Sequence, residues 1–394
     1  MRIIQGGRML AAVVGGNLQG IEAAYLAHKA GWEIILVDRR PNPPASHLCD
    51  QFVHREITAE DDLKNLFRGV DLVIPALENK VALECLDNWS RTTEIPLAFD
   101  FEAFAVSSSK LKSDRLFHRL GVPAPLPWPD CDFPLIIKPS VGSGSRGVKI
   151  INDSGSLNQY LDDPPDSWVL QEYVEGPSYS IEVLGLPGQY SPLQVTDLQM
   201  DAGHDCKRVL APTDLSEALI SNFEQISLSL AEALKLRGLM DVEVILHQNV
   251  LRVLEIDARL PSQTPTAVFW SSGLNMIEML GELFLNGAVS AAAPIIYPKG
   301  VVYEHIKVSP DLIEVGGEHI ISGADGMHLH NDFFGADEAI TNYKPGRDEW
   351  VATLIICEQT RETAWEKRKA VISGIQKKFK PAIYRDSFPL GLNF

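Results

Sequence analysis

Two short stretches near the middle of the chain constrain its fold more than any other feature. Met240-Asp241-Val242-Glu243-Val244-Ile245-Leu246 and Val253-Leu254-Glu255-Ile256-Asp257-Ala258-Arg259 both alternate in hydropathy and read as β-strands. Side chains along a strand alternate between its faces, so Glu255, Asp257 and Arg259 project from one side. Pairing of the two strands brings Asp241 to the same place. Carboxylates gathered this way repel one another and lose hydration, a cost of several kcal/mol unless cations sit among them. Hard oxygen ligands suit Mg²⁺, and a guanidinium beside them suits a phosphate or a negatively charged intermediate. Asp241, Glu255 and Asp257 are therefore the expected metal ligands, and the expected chemistry is phosphoryl transfer.

A chain of 394 residues with 45% apolar and 22% charged residues has room for two or three soluble globular domains. The formal charge of −17 argues against nucleic acid or an anionic membrane as a main partner. Cys49, Cys85, Cys131, Cys206 and Cys357 are scattered, with neither CxxC nor Cys/His zinc spacing, which argues against a disulfide framework or structural zinc. The apolar run from Met9 to Val14 is too short for a membrane span or a signal segment. A cytoplasmic enzyme is expected.

Ala11 to Gly15 reads as a buried strand, Leu18 to Ala30 as a helix, Glu33 to Asp38 as a second strand and Val70 to Pro75 as a third. That alternation indicates βαβ units and a parallel sheet. The first turn, Gly15-Gly16-Asn17-Leu18-Gln19-Gly20, lacks the middle glycine of a dinucleotide fingerprint, because Asn17 stands where a pyrophosphate would need bare backbone. It can still hold a small anion or a substrate carboxylate. A helix over Ser107 to Leu120 has capping hydroxyls at Ser107 to Ser109 and stops at Gly121. A strand from Pro134 to Lys138, another from Trp168 to Tyr173, a helix from Leu215 to Leu236 and one from Ala267 to Leu285 complete the readable part. The last hundred residues mix short strands with a basic helix, Arg361 to Lys380, and carry no motif.

Between these elements, Gly142, Gly144 and Gly147 alternate with Ser140, Ser143 and Ser145 in a flexible loop able to close over phosphates, although no Gly-Lys-Ser/Thr ends it. Lys138 ends the apolar strand before it, an unfavourable place for an ammonium without an anion. Lys110 offers a second ammonium. Gln171-Glu172-Tyr173-Val174 leaves a strand into a turn, an edge that can present backbone groups to an adenine ring.

In this order, lysines, glycine loop, strand exit and carboxylates resemble the ATP-grasp superfamily of carboxylate–amine ligases. The resemblance implies an α/β chain: a Rossmann-like N-terminal domain (1–105) followed by an ATP-grasp fold whose two α+β subdomains (106–177 and 178–394) clamp ATP. It assigns Lys110 and Lys138 to the phosphates, Gly142 to Gly147 to the lid and Gln171 to Val174 to the adenine. It also implies two Mg²⁺ ions on Asp241, Glu255 and Asp257, with Arg259 stabilising the transition state. Many relatives carry asparagine where Asp257 stands.

Within the superfamily, Val14 to Leu26, Leu97 to Ala103, Tyr303-Glu304-His305 and Glu255 to Val268, with its Pro261-Ser262-Gln263-Thr264-Pro265-Thr266 loop, resemble the ligases of pyrrolysine biosynthesis. That family joins the carboxylate of 3-methyl-D-ornithine to the ε-amine of L-lysine through an acyl phosphate. By this resemblance Ser262, Gln263 and Thr264 face the acyl centre. Glu182, then Asp205 and Glu304, are candidates to take the ammonium groups of a diamino acid, and the Gly16, Asn17, Leu18 and Gln19 turn faces lysine or the product. A homodimer is implied by the family alone. A ligase of the D-alanine–D-alanine kind, or a nucleotide-binding regulator without catalysis, would share the nucleotide features.

Overall fold

The computed structural model describes residues 8–58, 63–140, 147–161, 168–288 and 297–389. Gly142 to Ser145, the tip of the expected lid, lie outside them.

The N-terminal sheet has four parallel strands, β1 (Leu10–Val14), β2 (Glu33–Asp38), β3 (Gln51–His54) and β4 (Leu72–Pro75), in the order β3-β2-β1-β4. The short β3 was not foreseen; its four residues, Gln51 to His54, carry too little apolar alternation to announce a strand. The helix Leu18–Lys29 is rich in alanine and leucine and is buried from Gly20 to Ala27, packed between this sheet and the helix Met276–Asn286. A Cβ on Gly20 would stand 2.1 Å from the Gly15 carbonyl oxygen, so only glycine lets the helix start this close to the strand end.

A second, three-stranded antiparallel sheet contains β5 (Leu135–Pro139), β6 (Lys149–Ile151) and β7 (Trp168–Glu172), with β5 central. The remaining strands build one twelve-stranded sheet. They are β8 (Ser178–Leu186), β9 (Gln189–Pro192), β10 (Thr196–Met200), β11 (Cys206–Ala211), β12 (Gly238–His247) and β13 (Val250–Asp257), then β14 (Gly300–Val308), β15 (Leu312–Val315), β16 (His328–Phe333), β17 (Ala336–Thr341), β18 (Trp350–Glu358) and β19 (Ile383–Asp386). Its main path runs β13-β12-β8-β10-β11-β14-β18-β17-β16. Met240, Val242 and Val244 of β12 are fully buried against the helix Glu217–Leu234, each contributing about 1.5–3 kcal/mol of apolar burial. That burial fixes which face of β12 must carry the acids.

Three details correct the sequence reading. The expected helix from Ala267 to Leu285 is two helices, Thr264–Ser272 and Met276–Asn286, because Gly273 takes the left-handed conformation that ends the first. Ser107 does not cap the helix Lys110–Leu120; its hydroxyl accepts the Ala258 N–H at 3.0 Å and ties that helix region to the end of β13. Glu304 is not at a substrate site. It is fully buried on β14, where Arg208 Nε (2.8 Å) and Arg368 Nε (2.9 Å) both donate to it. Asp386 and Lys207 complete that cluster, with Lys207 Nζ 2.6 Å from Asp386. Among the described residues no helix is long and apolar enough to cross a membrane.

Candidate active site

β8, β12 and β13 lie side by side, and their registers place acids in two rows. Glu182, Asp241 and Asp257 face one another across the three strands; two residues along, Ser180, Glu243 and Glu255 form the second row. Glu243 was absent from the expected ligands. Its signal was in the sequence, since it stands two residues from Asp241 on the same face. Beyond the second row the register shifts at Leu254, a bulge on β13 facing Glu243 and Val244.

Burial and mutual repulsion make these acids reluctant to ionise. Burial raises Asp241 to about 6, with Ser180 and Arg259 opposing and Glu255 adding to the rise. Asp257 is raised to about 8 by burial, against the pull of Arg259. Burial, then Asp241, Glu255 and Asp257, push Glu243 well above the usual carboxylate range. An all-oxygen donor set with this surplus of acid fits a hard divalent cation such as Mg²⁺.

Cations approach from the three-stranded sheet. Lys110 Nζ lies 2.6 Å from Glu255 Oε1, and the Lys110 N–H donates to the Ser140 carbonyl at 3.0 Å, which couples this lysine to the end of β5. Lys138, on β5, is 8% exposed; burial lowers its pKa while Glu255, Asp114 and Glu243 resist. Both expected lysines therefore converge on the row formed by Glu243 and Glu255, as Coulomb attraction requires.

The strand exit is more restricted than expected. The Glu172 and Tyr173 N–H groups already donate to the Leu126 and Pro134 carbonyls at 2.8 and 3.1 Å, and the Glu172 carboxylate pairs with Arg252. Gln171 is buried. Neither Glu172 nor Tyr173 has its N–H left to donate to a purine; Val174 lies two residues past the end of β7.

Arg259 lies just past β13. Its Nη2 is 3.0 Å from Asp257 Oδ2, and Glu78, which follows β4, sits 2.7 Å from its Nε without hydrogen-bond alignment. Gln19 Nε2 donates to the same Glu78 oxygen at 3.2 Å. This chain of contacts joins the carboxylate floor to the N-terminal sheet, whose strand ends open on a cavity of about 580 Å³. Parallel sheets bind ligands at such carboxyl ends, where neighbouring strands connect in opposite directions.

Asn17, Leu18 and Gln19 line this cavity, as do Asp205, Ser262, Gln263 and Thr264. Gly16 does not. Its N–H donates to Asp38 at 2.6 Å, and Pro43 fills the space where a side chain would be. Asp38 thus closes its own glycine turn, leaving no free acid there for a dinucleotide ribose. Asp205 reaches the wall but its carboxylate accepts the His319 N–H and faces His319 Nδ1 at 2.8 Å. The Ser262 hydroxyl bonds Glu318, a wall residue that nothing local in the sequence marked.

Gln263 has φ +73 and ψ −56, and Thr264 N–H bonds the Ser262 carbonyl at 2.9 Å. This is the positive-φ γ-turn, a strained conformation that needs surrounding structure to hold it. Holding it are Gln263 Nε2, bonded to the Cys206 carbonyl at 3.1 Å, and Glu22, which accepts from Thr266 N–H and hydroxyl at 2.9 and 2.6 Å. Gln263 Oε1 is buried here with no hydrogen-bond partner among the described residues. Glu182, fully buried beside this turn, is held well above the ordinary range by burial and then by Asp241, against a hydrogen bond from the Thr264 side chain.

Comparison with known proteins agrees with this geometry. An ATP-grasp domain family matches residues 107–263. Among solved structures, biotin carboxylase from Campylobacter jejuni, crystallised with a β,γ-ATP ligand, is similar with a TM-score of 0.71 at 14% identity, over 92% of this chain and 91% of that one. Two curated relatives carry the name 3-methyl-D-ornithine–L-lysine ligase. The Methanosarcina barkeri protein is 37% identical over 370 residues, covering 93% of this chain and 98% of its own. The Methanosarcina mazei protein is 34% identical over 373 residues, covering 94% and 96%. With relatives this similar over nearly its whole length, the chain belongs to the 3-methyl-D-ornithine–L-lysine ligase family of ATP-grasp enzymes.

Proposed function

We propose that this protein uses ATP to join the carboxylate of 3-methyl-D-ornithine to the ε-amine of L-lysine, releasing ADP and phosphate, as a step of pyrrolysine biosynthesis. The observation that carries the reading is the double row of acids with too few cations. A carboxylate oxygen is a poor leaving group, and transfer of a phosphoryl group to it gives an acyl phosphate that an amine can attack.

Asp241, Glu243, Glu255 and Asp257 are the residues that would hold Mg²⁺, two ions in this reading. Bound there, the metal would screen the triphosphate charge. Lys110 and Lys138 position the transferred phosphoryl group, with Ser140, the 142–147 loop and Gln171 to Val174 completing the nucleotide site. Arg259 stabilises charge at the acyl centre, where preorganised cations matter most. Glu182 and the Gln263 amide oxygen supply acceptors for an ammonium of the ornithine substrate. Residues 1–105 would then serve as the amine-side wall, and 106–177 with 178–394 as the clamp.

Incubation with ATP, Mg²⁺, L-lysine and D-ornithine, followed by mass spectrometry, tests the proposal. An ornithyl-lysine amide formed with stoichiometric ADP is the expected outcome. ADP formation with other amino-acid pairs but never with a diamino acid would overturn the substrate assignment.

A further inference from the structure

The helix Thr264–Ser272 begins without a cap of its own. Gln263, at its N-cap position, has φ +73 and gives the helix no side-chain hydrogen bond. The Thr264 N–H is spent on the Ser262 carbonyl, and Pro265 has no N–H to offer. The missing acceptor arrives from 244 residues away in sequence. Glu22, on the helix Leu18–Lys29, takes the Thr266 N–H and hydroxyl at 2.9 and 2.6 Å, and the Gln263 backbone also donates to it. A carboxylate at a helix start satisfies these orphan donors and is favoured by the macrodipole.

Two other contacts dock the same helices farther along and leave the turn alone. Trp270 Nε1 donates to the Tyr25 hydroxyl at 2.7 Å, and Asn275 Nδ2 donates to the Leu26 carbonyl at 2.8 Å. Glu22 differs from them because it falls on the strained residue itself. Without it the Gln263 backbone can relax toward negative φ, since the Cys206 carbonyl holds the amide end, at 3.1 Å, and not the backbone. Gln263 lines the cavity and its Oε1 is buried with no hydrogen-bond partner among the described residues, so relaxation displaces an acceptor at the cavity wall. Glu22 is fully buried behind that wall, where the Tyr303 hydroxyl donates to its second oxygen at 2.8 Å.

Resting on the ligase reading above, we infer that Glu22 is a positioning residue for the acyl substrate: it caps the helix Thr264–Ser272 from outside and so holds the Gln263 amide in place for the ornithine. It acts through the turn and not by touching the substrate. Its loss should therefore be felt in capture of the ornithine and not in capture of ATP.

The test omits lysine and supplies hydroxylamine, whose nitrogen attacks the ornithine acyl phosphate, expels phosphate and leaves a hydroxamate. KM for D-ornithine and for ATP is measured in wild type, Glu22→Ala, Glu22→Gln, Thr266→Val and Tyr25→Phe. Glu22→Ala should raise KM for D-ornithine about 10- to 100-fold and leave KM for ATP within about twofold. Glu22→Gln should recover most of that loss, because its amide oxygen still accepts from Thr266 while its NH₂ faces the Tyr303 oxygen, an acceptor as well as a donor. Thr266→Val, which removes one contact, should move the same constant about 2- to 10-fold. Tyr25→Phe loosens the same helices away from the turn, and should lower the unfolding temperature with KM for D-ornithine unchanged. An unchanged KM for D-ornithine in folded Glu22→Ala would overturn the inference. So would a matching rise in KM for ATP, a Glu22→Gln protein no better than Glu22→Ala, or an equal effect of Tyr25→Phe. If Glu22→Ala does not fold, Thr266→Val decides by the same criteria. Absence of hydroxamate in the wild type would instead count against the ligase reading itself.

Discussion

The twelve-stranded sheet carries two buried charge clusters, and they are balanced in opposite ways. Around β11 and β14, Lys207, Arg208 and Arg368 surround Glu304 and Asp386, every acid being held by at least two cations. Burial alone would raise both acids, yet the guanidiniums win: Glu304 is lowered, and Asp386 falls to about 2. Around β12 and β13 the inequality is reversed. Arg259 and the two lysines face four acids, with Glu182 behind, and burial prevails, so that Asp257 rises to about 8. A cluster that satisfies itself needs nothing from outside. One left short of cations is a binding site, and its deficit states the charge of what it binds.

Exchanging a carboxylate for its amide in each cluster should give opposite results. Glu255→Gln removes a proposed metal ligand and relieves repulsion among its neighbours. Turnover is expected to fall by at least ~10³-fold, in line with loss of transition-state charge stabilisation, while thermal unfolding stays unchanged or shifts upward. Near-normal ADP formation by that variant would remove Glu255 from the metal site. Glu304→Gln leaves two buried guanidiniums without their carboxylate, and a loss of about 3–5 kcal/mol in unfolding free energy is expected. Activity per folded molecule should remain close to wild type. A stable but inactive Glu304→Gln protein would return that residue to the substrate site.

The same contrast explains how much could be read from the chain alone. Acids on β12 and β13 were legible because period-two alternation fixes which side chains share a face, and an acid inside an apolar strand is conspicuous. Lys138 was legible for the same reason. Glu304 was misassigned because a lone acid in an apolar strand looks identical whether a substrate or a distant arginine neutralises it. Its partners lie 96 and 64 residues away in sequence, beyond any local pattern. Glu78 and Glu318 reach the cavity from loops, where no periodicity marks them. The helix boundary at Gly273 and the short β3 were missed because turn conformation and four-residue strands leave weak traces.

Glu22 stands between the two clusters and tests the rule that separates them. It is a fully buried acid that meets no cation among the described residues, held by the neutral donors of Thr266, by the Tyr303 hydroxyl at 2.8 Å and by the Gln263 backbone. Those hydrogen bonds favour the carboxylate, but burial outweighs them and raises it from 4.5 to about 7. Between those values the folded protein holds a proton that the unfolded chain has released. The contribution is therefore complete below pH 4.5 and is lost as pH rises through 7, about 3 kcal/mol in all. Glu22→Gln should flatten that part of the profile, so that the difference in unfolding free energy between wild type and variant changes across the window. Denaturant titrations at pH 4.5, 6 and 7.5 measure it. A constant difference would mean that neutral donors suffice to keep a buried carboxylate ionised, and the cation deficit on β12 and β13 would lose its meaning as a sign of a bound metal.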